Sequence, residues 1–486
     1  MQLLGVIFIG YLTILLFIGL WTFRLTKTQE DYLLAGRKLG PWVTAFSERA
    51  SGESAWLLLA LPGAAIVTGM SEIWAVFGII FGIASSWYLI AEKLRSETQK
   101  YNALTIPEYL HRKYRDESNI IRLFSSIIIS FFFLFYVSAQ FHASGKVLNS
   151  LFKIDPITGI SIGALIITLY TILGGFFAVA WTDLVQGVLM IGTLIVLPIT
   201  GLVHIIQMDK SIVSGIMEAE LIFQNYNSSI LGGKGGYEAV FLVLAGLSWG
   251  LGYLGQPHLL IRFMAIRSVK EVHMARKIAI IWSVPGVVGA FMIGLIALVY
   301  FEPHYFQGSG AADPEKAMPI LATQILHPVL AGLFISGAVA AMMSTADSQL
   351  LVSASAITED FIHQFLNVKL SQSTLVHMSR LVIIILAGIA YSIALYSEFT
   401  EKNIFIVVSY AWSGLGSAFG PALVLTLWWN KTTRAGVLAG LLTGFLTTVI
   451  WSNIPILVNL FSERLASFVL SFLAVYVFSA LISNEA

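Results

Sequence analysis

Two stretches of this chain are apolar enough to cross a bilayer yet carry residues that interrupt a helix. One contains Ala50-Ser51-Gly52-Glu53-Ser54-Ala55-Trp56, the other Trp249-Gly250-Leu251-Gly252-Tyr253-Leu254-Gly255-Gln256-Pro257. In hydrocarbon every backbone N–H and C=O needs an internal partner. A break at membrane depth therefore survives only where it is buried in protein or lines a cavity. Interrupted spans in corresponding positions of two halves point to a binding site at the repeat interface of a secondary transporter. The rest of the chain fits that setting: 57% of its 486 residues are hydrophobic and only 11% are charged. A soluble domain carries about 25% charged residues, so the composition implies an all-α polytopic membrane protein. A net charge of +1 gives no reason to expect nucleic acid, and the absence of cysteine excludes disulfides.

Runs of roughly 20 apolar residues number about thirteen, near 3–23, 41–69, 72–92, 120–145, 156–176, 184–206, 237–258, 278–301, 319–346, 379–397, 404–428, 435–456 and 463–482. The first has no basic flank and no small-residue cleavage site, so it reads as a span rather than a signal peptide. Lys and Arg counts set the orientation. Arg24, Lys27, Arg37 and Lys38 follow span one, seven more lie in the loop after span three and the entry to span four, and five, including Arg262, follow span seven. Two more follow each of spans nine and eleven, making twenty on one side against seven on the other. The expectation is a multi-pass plasma-membrane (bacterial inner-membrane) protein with its N-terminus outside and its C-terminus in the cytoplasm.

At the first break Gly52 lets the backbone leave helical angles, and Ser51 and Ser54 offer hydroxyls. Freed carbonyls and half-helix ends suit a small cation on one side and a carboxylate on the other. The alternative is that these small residues only allow close helix packing. Glu53 adds a carboxyl at membrane depth, a functional-site hypothesis by default. Its bland alternative is a structural pair with Arg49. Span nine carries Ala341, Ser344 and Thr345 at i, i+3 and i+4, so one face shows a carbonyl and two hydroxyls. Neutral oxygens suit a hard cation, although such hydroxyls also bond back to their own helix. Trp56, Tyr136, Trp249 and Tyr253 form an aromatic set for a compact solute, or else belong to the core or the interface belt.

Several segments resemble one family. They are Asp31-Tyr32-Leu33-Leu34-Ala35-Gly36-Arg37, Trp56 to Ala64, Leu173-Gly174-Gly175-Phe176, Trp181-Thr182-Asp183, Trp249 to His258, Arg262-Phe263-Met264-Ala265, Met343-Ser344-Thr345, Ala356 to Asp360, Ser409-Tyr410-Ala411-Trp412 and Thr433-Arg434-Ala435-Gly436. Together they make the chain similar, nearly end to end, to the sodium:solute symporter family, and most to its bacterial proline carriers. The resemblance implies a single transmembrane transporter domain over 1–486 with a five-plus-five inverted-repeat (LeuT-type) core. Residues 41–206 would form one repeat and 237–428 the other. Residues 1–40 would supply a peripheral helix and cytoplasmic loop, and 435–482 two more peripheral helices. It implies sodium, as a co-transported ion, held by the carbonyls of Ala50, Glu53 and Ala341 and the hydroxyls of Ser344 and Thr345. Ser54, Trp56, Tyr136, Trp249, Tyr253 and Pro257 fall in the substrate region. Arg37 and Asp183 match positions tied to coupling and gating, and Asp347, at the end of span nine, is a further candidate acid.

The resemblance has one departure. Proline carriers of this family read Ala-Ser-Asp-Met-Ser-Gly-Trp at the first break, whereas here the acid moves one place and lengthens, as Gly52-Glu53, with Ala55 for glycine. Enzyme chemistry finds no support. Gly232-Gly233-Lys234-Gly235-Gly236 lacks the spacing of a phosphate loop, the nine histidines form no paired metal spacing, and no nucleophile elbow appears. The function expected is sodium-coupled import of a small solute, L-proline first, with no partner beyond solute, sodium and lipid and no oligomer required. The alternatives are another small organic solute (amino acid, sugar or carboxylate), or a transporter-like sensor. The sensor reading is disfavoured because the sequence runs only a few residues past its last span.

Overall fold

The computed structural model describes residues 2–23, 29–173, 175–223, 226–307 and 310–483. Arg24, Lys27, Gly174 and the terminal Ala486 lie outside the described residues. The principal helices are α1 (Gln2–Phe23), α2 (Pro41–Ala55), α3 (Leu61–Thr68), α4 (Ile73–Ser85), α5 (Glu92–Lys100), α6 (Ile120–Phe152), α7 (Pro156–Leu173), α8 (Phe176–Gln207), α9 (Gly236–Leu247), α10 (Pro257–Ala265), α11 (Val269–Phe301), α12 (Pro328–Ser355), α13 (Gln372–Phe399), α14 (Ile404–Trp428), α15 (Arg434–Asn453) and α16 (Glu463–Ser483). Among the described residues, eleven helical stretches are long and apolar enough to cross a membrane, and shorter apolar helices lie within α1 and α7. Together they match the expected number of spans.

The stretch from α2 to α3 is the most enclosed of these spans, 89% buried over its apolar window. That explains how it tolerates Ser-Glu-Arg-Ala-Ser-Gly-Glu-Ser: its polar groups face protein, not lipid. It packs against α8, α10, α11 and α12. A second group, α6, α7, α12 and α13, packs mutually, and α14 joins α6 to the segment after α9. The last two helices, α15 and α16, pack on one another and against α14. The central elements are thus two broken helices held between longer continuous ones.

Three expected boundaries move. Span nine was expected from 319, but the chain forms a short helix, Ala317–Ile325, and restarts at Pro328. A residue before proline avoids helical angles, and His327 takes an extended ψ of 140°. The helix then continues to Ser355, so Asp347 sits well inside a buried helix rather than at its end. The start of α8 at Phe176 likewise draws Trp181-Thr182-Asp183 into the helix instead of leaving it ahead of one. Arg262, counted from sequence as a loop cation, lies in α10 and is fully buried.

Close helix approach has a local cause. A Cβ on Gly82 of α4 would stand 2.3 Å from both the Cα and the carbonyl oxygen of Gly250, beside the second break. No side chain fits there. Gly82→Ala should therefore lower stability by about 1–3 kcal/mol through overpacking, read as a lower melting temperature of the purified protein. Gly388→Ala, in α13 with nothing within 4 Å, should melt like the wild type. Equal melting of all three proteins would contradict this packing.

Candidate functional site

The first break falls at Ser54, whose backbone has φ 51° and ψ −170°. Gly52, where the sequence suggested the break, stays helical. The difference follows from where the freed amides find partners. Ala55 N–H donates to Gln140 Oε1 of α6 at 3.0 Å, and Trp56 N–H is shared between Ser54 Oγ at 3.1 Å and the Glu53 carbonyl. Tyr136, also on α6, donates its hydroxyl to Ser54 Oγ at 3.3 Å. An unsatisfied amide at this depth costs several kcal/mol, so Gln140 and Tyr136 fix the position of the break. The second break is a tight helical turn over Ser248–Leu254, followed by Gly255 and an extended Gln256. It is held on α14: Gln256 Nε2 donates to the Trp412 carbonyl, and Trp412 Nε1 donates to the Trp249 carbonyl, both at 3.0 Å.

Where α12 crosses α2, oxygens converge. Ser344 Oγ donates to the Ala50 carbonyl at 2.9 Å and lies 3.3 Å from the Ala341 carbonyl. Thr345 Oγ1 donates to the Ser51 carbonyl at 3.0 Å, and Ser51 Oγ returns a bond to the Ser344 carbonyl at 2.9 Å. Of the five oxygens expected around sodium, those of Ala50, Ala341 and Ser344 meet here directly. Thr345 sits one residue along, and the Glu53 carbonyl accepts the Trp56 N–H instead. Neutral oxygens so placed are the ligand type of a hard cation.

Two buried charge networks flank this crossing. Arg262 Nη2 donates to Asp183 Oδ2 at 2.9 Å, Ser51 Oγ at 2.7 Å and Ser348 Oγ at 2.6 Å, while Nε reaches Ser47 Oγ at 3.0 Å. Asp347 is close enough to Arg262 and Asp183 to interact electrostatically, and its Oδ2 has no hydrogen-bond partner. On the other face of α2, Arg49 forks onto both oxygens of Glu48 and donates to Glu53 Oε1 at 2.6 Å. Trp87 Nε1 donates to Glu48 at 3.0 Å. Both networks are fully enclosed. The sequence offered Glu53 with Arg49 as a pair but gave no role to Glu48, Arg262 or Gln140.

The aromatic residues come together across the two breaks. Trp56 and Trp249 have ring centroids 4.6 Å apart, and Tyr253 stands edge-on to Trp412 at 4.7 Å. With Gly52 and Tyr136 they line a cavity of about 220 Å³. Trp412 was visible only as part of a family segment, because its contact with the pocket depends on the fold of α14 against the second break. Pro257 instead borders a separate cavity of about 410 Å³, shared with Leu33, Ile106, Met264 and Asp360. Arg37 lies at that same end, where it donates to the carbonyls of Met264 at 3.1 Å and Ala103 at 2.6 Å. It ties the segment before α2 to the end of α10.

Two broken helices that meet over an aromatic cavity, crossed by a hydroxyl-bearing helix, define the architecture of a membrane transporter. The model of the sodium:solute symporter family matches residues 32–444, and this chain belongs to that family. It is 38% identical to the high-affinity proline transporter PutP of Bacillus subtilis, over 96% of each chain. It is 37% identical to the sodium/proline symporter of Escherichia coli, over 98% of this chain and 92% of that one. Among solved structures, a sodium-coupled sialic acid symporter in a substrate-bound outward-open state superposes with a TM-score of 0.79 at 17% identity, covering 99% of this chain and 98% of that one. At that identity the likeness concerns the fold.

The Asp183–Arg262 pair gives a stability expectation. Removing one partner of a buried ion pair costs about 3–5 kcal/mol because a charge is left uncompensated. Arg262→Met should lower the melting temperature accordingly, and adding Asp183→Asn should recover part of the loss. A double variant no more stable than Arg262→Met would show that the pair is not coupled.

Proposed function

We propose that this chain imports L-proline together with sodium by alternating access, as a transporter rather than an enzyme. The observation that carries the reading is the crossing of α2 and α12, where Ser344 Oγ bridges the Ala341 carbonyl and that of Ala50, two residues before Gly52 of the aromatic cavity. An ion held there joins the broken helix to α12, so its arrival and departure bias the same backbone that shapes the pocket. Proline is favoured as solute by the names of the relatives, which resemble this chain over nearly its whole length, and by a compact pocket of aromatic rings suited to an apolar ring. In this reading Ala50, Ala341, Ser344 and Thr345 hold sodium, and Glu53 follows Gly52 of the pocket wall. Trp56, Tyr136, Trp249 and Tyr253 enclose the solute. Arg37, Pro257, Asp183 and Asp347 belong to the inner passage and its coupling network.

The domain division at 41–206 and 237–428 accords with the two breaks standing at the first helix of each half. Placement in the plasma membrane, N-terminus outside, is supported by the asymmetry of Lys and Arg, which survives when the buried Arg262 is set aside. The driving force is adequate: one charge crossing 100 mV supplies about 2.3 kcal/mol and a tenfold sodium gradient about 1.4 kcal/mol. Together they sustain an accumulation on the order of a few hundredfold.

Proteoliposomes test the reading. Labelled proline should accumulate when an inward sodium gradient is imposed and not when potassium replaces sodium. Ser344→Ala with Thr345→Ala should raise the half-saturating sodium concentration by about tenfold or more, the loss of roughly 1.4 kcal/mol of ion binding. Sodium-independent uptake, or an unchanged sodium requirement in the folded double variant, would overturn it.

A further inference from the structure

Glu48, Arg49 and Glu53 form a buried cluster with one more negative charge than positive. Glu48 is satisfied on both oxygens: Arg49 forks onto it, and Trp87 Nε1 adds a bond at 3.0 Å. Glu53 is held by one oxygen only, with Arg49 Nη1 donating to Oε1 at 2.6 Å. Its Oε2 is buried and has no hydrogen-bond partner. A carboxylate oxygen left bare inside a protein is costly unless a cation or a donor meets it.

The surroundings of Glu53 indicate what that partner is. The preceding residue, Gly52, lines the aromatic cavity. Glu53 also interacts electrostatically with Tyr136 and Tyr253, two further walls of the cavity, and its carboxylate lies within reach of the Tyr253 hydroxyl. The remaining aromatic walls are Trp56, Trp249 and Trp412. Ring faces attract cations, and an excess carboxylate adds a full charge of the same preference. Trp56 contributes the opposite polarity, since its buried indole N–H has no partner and can only donate. The neutral oxygens at the α2–α12 crossing are a separate group, contributed by Ala50, Ala341 and Ser344 rather than by this cluster.

From this juxtaposition we infer that Glu53 Oε2 is the anchor for a positively charged nitrogen on the transported solute. The site therefore selects zwitterionic amino or imino acids and rejects neutral sugars and simple carboxylates. The ammonium donates to Glu53 Oε2 and lies among the rings, and the solute carboxylate takes the Trp56 N–H. The excess charge of the three-residue cluster is balanced only when such a solute is bound. The inference rests on the reading of this chain as an amino-acid importer and adds to it the group that recognises the amine.

Ligand-induced shifts in the melting temperature of the purified protein, taken in saturating sodium, give the test. The probes are L-proline and tetrahydrofuran-2-carboxylate, in which an ether oxygen replaces the charged nitrogen. A site built to bond a substrate N–H discriminates strongly against an analogue that lacks it, so the wild type should prefer proline by roughly a hundredfold or more. Glu53→Gln keeps the shape and leaves Glu48 and Arg49 as a neutral pair. It should reduce that preference to within about fivefold by weakening proline and not the analogue. Glu48→Gln removes the excess charge without touching the cavity and should reduce the preference in the same direction, while Glu53→Asp should largely keep it. A preference retained in both Gln variants, or proline and analogue weakened equally, overturns the inference and leaves proline import standing. A wild type that binds neither probe overturns the proline reading and this inference with it.

Discussion

An amide released at membrane depth has no water to turn to. At Ser54 the chain leaves the helix, and the amides of Ala55 and Trp56 are taken up by Gln140 and by Ser54 itself. The second break is met in the same way, by Gln256 and Trp412 bonding across to the backbone of each other's segment. The rest of the arrangement depends on these few bonds. They hold two half-helices end to end inside the protein, and they leave backbone carbonyls and ring faces where a continuous helix would leave only its apolar surface.

Polarity at the core is affordable because α2 is surrounded by other helices. Its two faces carry different chemistry. Ala50 and Ser51 turn toward α12, where hydroxyls and carbonyls of neutral charge gather. Arg49 and Glu53, one turn apart, turn toward Glu48, Trp87 and Tyr253. Between α2 and α8, Arg262 collects Asp183 and three serines. Each network is enclosed, so each is sensitive to the loss of a single member and ties α2 to a different neighbour. In the proposed reading, an ion at one face and a solute at the other would act on the same short stretch of backbone.

Much of this was legible in the sequence because membrane helices announce themselves by length and composition. The two interruptions could be located to within a few residues, and the i, i+3, i+4 spacing of Ala341, Ser344 and Thr345 put their oxygens on one face. What could not be read was contact between distant segments. Gln140 looks like any polar residue in a long helix until the break is laid against it. Arg262 was indistinguishable from a loop cation because the short helix after the second break is too brief to show a period. Asp347 was misplaced because the helix runs on past it through the polar Ser348 and Gln349 to Ser355. Glu48 gains meaning only once Arg49 is seen to divide itself between two carboxylates.

The central claim is that a sodium ion holds α2 to α12 through the oxygens around Ser344, and the most direct measurement is sodium-dependent stability. A ligand bound only to the folded state at about 100 times its dissociation constant stabilises by about 2.7 kcal/mol. Sodium should raise the melting temperature of the purified protein in a saturable way, potassium at equal ionic strength should not, and Ser344→Ala should remove the sodium effect. An equal rise with potassium, or a sodium effect undiminished in Ser344→Ala, would contradict it.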